Sequence, residues 1–301
     1  MEETMSRKQK IIVSIVGIVL ILLTLLGITY AYFLTKVIGN TNEESVIIST
    51  ANLLLKYTDG NGILKSTTSV LPGTIIESKT FSVENQGTDV INNYGVYIEN
   101  VLNEFERTQD VIMTVECKVY DTVNSKYLED TCNGITDAVY PIQNSLIVTN
   151  SIAPKIRHDY LLKITYINET GIDQSNDMNK TIEGKIQIYD VNDSVDITGT
   201  ILNATEGDYV VLGEEQQISR VINGKYKIVG LFPETYTIYL KNESVNENGT
   251  KLITDKGSIT INVDRGDEEK LEDNTLFITP SSDEIVLDIT SNGTYLILDK
   301  K

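Results

Sequence analysis

The sequence predicts an all-β protein: two antiparallel β-sandwich domains, the first jelly-roll-like, behind one N-terminal transmembrane helix. Three observations predict it. Ile, Val, Thr, Tyr and Asn are abundant in a 301-residue chain without Trp, a composition suited to pleated sheet joined by polar turns. Apolar and polar residues alternate over short segments, and no long amphipathic helix pattern interrupts them. Turn dipeptides such as Pro72-Gly73 and Asn223-Gly224 separate the segments.

The helix comes first. "MEETMSRKQK", residues 1–10, places Arg7, Lys8 and Lys10 before an uncharged run, Ile11–Ile28, that Thr29–Leu34 extends. A run of this length covers the roughly 20 residues a helix needs to cross a bilayer. The basic residues make 1–10 a cytoplasmic tail and place everything after Lys36 outside. Tyr30, Tyr32 and Phe33 sit where an interfacial aromatic belt belongs. The alternative is a signal segment cut between Ala31 and Tyr32, with the small Ala31 at the last position and a tolerated Thr29 two before it. The run exceeds the ~7–15 residues of a signal-peptide core, which favours an anchor. Residues 11–34 are thus the expected contact with the membrane, as transmembrane helix or signal segment.

Residues 45–190 read as the first sandwich. Ala51, Leu53, Leu55 and Tyr57 share one face of a strand, and "DGNG", Asp59–Gly62, reads as a hairpin turn. After Pro72-Gly73, Phe81 and Val83 point one way. Tyr94, Val96 and Ile98 alternate next, then Val111, Met113, Val115, Cys117 and Val119. Two later strands cover Tyr160–Ile167 and Thr181–Tyr189. The succession "YAYF", "STANLLLKY", "LPGTIIESKTFSVENQGT" and "NNYGVYIENV" resembles the TasA/camelysin group of Gram-positive surface and biofilm-matrix proteins. That resemblance implies a jelly-roll domain, secretion through a dedicated signal peptidase, and assembly into fibres.

Residues 195–301 read as the second sandwich, entered through the acidic joint "DVNDSVD". Asn223-Gly224 suits a type I′ turn, Pro233 interrupts pairing, and Tyr236, Ile238 and Leu240 alternate on the next strand. Further strands are expected at Ser258–Val263, Thr275–Thr279, Glu284–Ile289 and Thr294–Leu298, with "DRGDEEKLEDN" as a solvated loop. "ITGTIL" followed by "NGKYKIVGLFPETYTIYL" resembles the carboxypeptidase regulatory-like and Cna B-type sandwiches. Gly199, Gly224, Tyr226, Ile228, Gly230, Leu231, Pro233 and Tyr236 carry the match, and Glu234 stands where that pattern has Gly. The resemblance implies an immunoglobulin- or transthyretin-like fold that serves as a spacer or stalk.

Charge narrows the partners. A formal net charge of −18 repels nucleic acid and anionic lipid headgroups. Cys117 and Cys132 are the only cysteines and form the disulfide candidate, since export permits one; two unpaired thiols are the alternative. His158, the sole imidazole, sits between Arg157 and Asp159 and reads as an exposed strand end, so no catalytic residue is expected. Neither a nucleophile elbow nor a phosphate-binding glycine loop occurs. No cofactor is expected. The one metal candidate is calcium at Asp190, Asn192, Asp193 and Asp196, where an ion would stiffen the joint; a solvated linker is the plainer reading.

These features point to a non-enzymatic bacterial cell-surface structural protein, an envelope or matrix component able to assemble. Its partners would be the membrane, copies of itself or other surface proteins. Uncut, it stays in the cell membrane with its C-terminal part extracellular; cut, it enters the extracellular matrix. The alternative function is a surface adhesin that binds a host or carbohydrate ligand through sandwich loops.

Overall fold

The computed structural model describes residues 37–38, 45–49, 54–60, 70–130, 132–191, 194–213, 217–279 and 281–301. The helix expected over 11–34, and with it the Ala31–Tyr32 junction, lies outside them, as does the second half of "DGNG". Among the described residues no helix is long and apolar enough to cross a membrane.

The first eleven strands are β1 (Val37–Ile38), β2 (Ser45–Ser49), β3 (Leu54–Asp59), β4 (Thr74–Asn85), β5 (Ile91–Asn103), β6 (Val111–Asp121), β7 (Lys126–Tyr127), β8 (Ile135–Val139), β9 (Ser145–Ile152), β10 (Ile156–Tyr166) and β11 (Ile182–Asp190). One sheet runs β1-β11-β5-β9. The other runs β2-β3-β4-β10-β6-β7, with β8 also on β6. Period-two alternation explains the packing: His158, Tyr160, Leu162, Ile164 and Tyr166 of β10 all face inward, opposite Tyr94, Val96 and Ile98 of β5. At Gly73, φ is +84° and Thr74 N–H reaches Leu71 O, so the Pro-Gly turn forms as read. The two later strands expected as a pair, β10 and β11, do not pair with each other but lie in opposite sheets.

The remaining strands are β12 (Val195–Thr200), β13 (Asp208–Leu212), β14 (Gln217–Arg220), β15 (Lys225–Leu231), β16 (Thr235–Val245), β17 (Lys251–Arg265), β18 (Lys270–Glu272), β19 (Thr275–Ile278), β20 (Glu284–Ser291) and β21 (Leu296–Lys300). Their sheets run β15-β12-β20-β21 and β14-β13-β16-β17-β19-β18. This sandwich departs from a purely antiparallel one, because β12 pairs with β20 and β17 with β19 in parallel. The charged loop also departs from expectation: Asp273 and Asn274 both take positive φ, forming a turn that folds β18 back onto β19.

Asn223 and Gly224 have φ of 52° and 77°, as a type I′ turn requires, yet no hairpin ladder follows. After one bridge, Ile222 to Lys225, β14 and β15 part into opposite sheets. Side chains of β14 take over: Ser219 Oγ accepts Lys227 N–H at 2.8 Å and Gln217 Oε1 accepts Val229 N–H at 2.7 Å. This open corner meets the first sandwich.

Candidate functional site

The outer face of β5 and β11 does not face water. Tyr97 and Tyr189 project from it and pack with Val229 and Phe232 of the second sandwich in one buried cluster. Tyr97 and Tyr189 meet edge to face, centroids 5.1 Å apart, and Phe232 lies 5.7 Å beyond Tyr189. Gly230, at φ +64°, makes room: a Cβ there would lie 2.4 Å from the Tyr189 ring.

Polar groups surround this cluster. Gln217 donates to Glu99 Oε1 at 2.7 Å and to Val229 O at 3.0 Å, and its Oε1 accepts from Asn144 at 3.1 Å. Asn144 also reaches Ile218 O and Lys227 O, both at 3.1 Å, while Asn100 Oδ1 accepts Ile218 N–H at 2.7 Å. The Tyr189 hydroxyl donates to Glu99, and burial followed by the Glu99 charge holds that phenol well above its ordinary range. Gln187, on the same face, is fully buried and neither amide atom has a partner among the described residues. The two cores are therefore joined by buried apolar contact and by hydrogen bonds that water cannot readily replace.

At the acidic joint, Asn192 and Asp193 lie outside the described residues, and Asp190 is described through its backbone alone. Asp196 is engaged: its carboxylate accepts Gly230 N–H at 3.0 Å and meets Lys227 Nζ at 3.1 Å. Burial raises its pKa despite Lys227. Within the joint, Ser194 and Val195 are buried.

A second cluster lies inside the first sandwich. Cys117 and Cys132 are joined by a disulfide, Cα atoms 5.5 Å apart. His158 is 4% exposed, which corrects the exposed strand end read from the sequence. Its charged neighbours Arg157 and Asp159 occupy the outward positions of β10, and alternation sends His158 inward. Tyr94 Oη lies 2.7 Å from His158 Nδ1 and 2.5 Å from Tyr160 Oη, which in turn accepts from Asn150 at 2.8 Å. Burial lowers the His158 pKa to about 4, partly opposed by Asp159, and pushes Tyr160 up to about 12. The two sulfurs and a His158 nitrogen lie within 4.8 Å of one another, a soft-metal donor set by type. With the sulfurs bonded to each other, they offer no thiolates to an ion.

A recess of about 400 Å³ opens on the outer face of the larger first sheet, lined in part by Lys118, Tyr127, Arg157 and Asp159. Arg157 forks onto Asp159 at 2.7 and 2.9 Å, and Tyr127 Oη donates to Asp159 at 2.8 Å. In the second sandwich, the buried Asp208 carboxylate takes Lys256 Nζ at 2.6 Å and Asn242 at 2.8 Å. Burial opposes its ionisation, but Lys256 and the other hydrogen bonds prevail and its pKa is lowered.

Compared with known proteins, the chain matches no family model, and no curated protein matches it.

Proposed function

We propose that this chain is a non-enzymatic structural component of a bacterial cell surface, in the envelope or matrix, that associates with copies of itself. The observation that carries this reading is the joint. Two sandwiches share the buried cluster Tyr97, Tyr189, Val229 and Phe232, with Gln217 bonded to Glu99 and Asn144 bonded to the backbone at Ile218 and Lys227. A linker between mobile binding modules would be exposed and polar; a buried one suits a rod that bears load. The disulfide suits an oxidising, extracytoplasmic setting, and the basic-then-apolar N-terminal sequence suits export. The likeness to TasA/camelysin and Cna B-type domains fits the same role. Calcium at the acidic joint belongs to this reading only as an accessory stiffener.

Intact-mass and sedimentation analysis of native membrane and medium fractions tests it. The expected result is a chain accessible from outside the cell and sedimenting faster than a monomer. A mature chain beginning at Tyr32 in the medium makes it a released matrix subunit; a full-length chain confined to the membrane makes it a tethered stalk. A protease-protected cytoplasmic chain would overturn the proposal. A second reading, an adhesin, draws on the recess at Tyr127, Arg157 and Asp159, where an aromatic ring stands beside fixed charges. Glycan-array binding lost in Tyr127→Ala would favour it.

A further inference from the structure

The ends of β16 and β17 run on as a two-stranded ribbon from the second sandwich, paired from Lys241 with Asp255 to Val245 with Lys251. Every residue from Lys251 to Asp255 is exposed, and Ile253 and Val245 are each 62% exposed. The tip is well formed: Asn246 Oδ1 accepts Asn248 and Thr250 N–H at 3.0 and 2.8 Å, and Asn246 N–H reaches Thr250 O at 3.0 Å. The ladders of β17 run to β16 and, from Asn262 onward, to β19. Among the described residues, no strand pairs with the other edge of Lys251–Asp255.

We infer that this free edge pairs antiparallel with the same edge of a second copy of the chain, an inference that rests on the structural reading above. The backbone fixes which groups are free. Since the Asn246–Thr250 pair is hydrogen-bonded, alternation makes Ser244–Leu252 and Asn242–Thr254 bonded pairs as well. The amides and carbonyls of Lys251, Ile253 and Asp255 consequently turn outward, unpaired, as those of an exposed edge do.

Side chains then choose the register. With the two-fold axis at Ile253, Ile253 faces itself and Lys251 faces Asp255 of the other copy, twice. All of these are outward-bonding positions, so the backbone ladder closes at the same time. A shift of the axis to Leu252 or Thr254 sets Ile253 against a lysine or an aspartate. An axis at Lys251 or Asp255 sets like charges against each other. On one face of the joined ribbons, Val245 and Ile253 of both copies become neighbours, covering apolar surface that a lone ribbon leaves in water. Lys251 already meets Glu243 at 2.8 Å, and its ammonium has donors for both carboxylates.

The test uses the full chain in detergent, with association read by sedimentation and by disulfide trapping. The native cysteines are already joined to each other, so one introduced thiol is unambiguous. Ile253→Cys should form a covalent dimer under mild oxidation, because bonded partners sit about 5.5 Å apart at Cα, within disulfide range. Lys251→Cys should trap at least about tenfold more slowly, its two copies standing four residues, on the order of 13 Å, apart along the ribbon. Lys251→Asp and Asp255→Lys should each weaken the dimer about tenfold, and the double reversal should restore it. All three positions are exposed, so unchanged thermal unfolding confirms intact folds. Absence of an Ile253→Cys dimer, equal trapping at position 251, or a double reversal as weak as the single changes would overturn the ribbon pairing. If the chain still assembles in those cases, the structural reading survives alone; if the unmodified chain is monomeric throughout, both fall.

Discussion

The two sandwiches solve the same problem with different interiors. The first buries Tyr57, Tyr94, Tyr140, Tyr160 and Tyr166, and each hydroxyl finds a partner there: Asp59, His158 with Tyr160, Glu183 O, Asn150 and Asp177. The core cluster of the second is filled chiefly by Ile, Leu and Val, with Tyr226 and Tyr236 as its tyrosines. A tyrosine core is held by directional bonds that break when one partner changes. An aliphatic core is held by volume, which tolerates rearrangement but not loss. A disulfide staples the first domain, which also buries the Lys79–Asp59 pair; the second has no cysteine and holds the Lys256–Asp208 pair.

The largest effect should come from volume. Leu287 is fully buried on β20, and Leu287→Ala should cost about 4 kcal/mol, a large part of a domain's margin. In calorimetry the transition of the second sandwich should drop while that of the first moves less. An equal drop in both would mean that the buried joint has fused the two into one cooperative unit, and the contrast between them would lose its thermodynamic meaning. Replacing both Cys117 and Cys132 by Ala is the next largest change. The cysteines are 15 residues apart, and losing a loop of that size costs about 3 kcal/mol. Only the transition of the first sandwich should fall, and adding reductant to the parent protein should reproduce it. A shift in the second transition of similar size would contradict the assignment of the staple to one domain.

Alternation made the strands legible: Tyr94, Val96 and Ile98, or Tyr236, Ile238 and Leu240, are inward in the structure as in the sequence. The Asn223-Gly224 turn was legible too, but not that β14 and β15 would diverge after it, because sheet membership is decided by distant strands. His158 could have been placed correctly. Charged residues on both sides of it are what a half-buried strand shows around an inward position. The joint was harder: Glu99 and Gln217 lie 118 residues apart and look like ordinary solvent-facing residues of their own strands. Their burial comes from a domain contact that no local pattern encodes.

The smallest effect isolates the polar core by pH. His158 is the chain's only histidine, so imidazole titration can act on the first sandwich alone. Burial lowers its pKa from 6.5 to about 4, and the charge of Asp159 recovers only part of that. The other groups facing it are the disulfide and the hydroxyls of Tyr94 and Tyr160, whose pKa values lie far above this range. In the unfolded chain the ring takes a proton near pH 6.5, whereas the folded chain refuses it until about 4. The unfolded state therefore binds more protons in that window, and the contribution is complete above pH 6.5 and lost as pH falls. At pH 5 the loss is about 2 kcal/mol. Denaturant unfolding of the parent and of His158→Gln at pH 7.5 and pH 5 measures it, since carboxylates contribute equally to both. The gap between the two proteins should shrink by that amount on acidification. A constant gap would mean that the folded protein accepts the proton, and the hydrogen bond to Tyr94 would then join two groups open to water instead of anchoring a dry core.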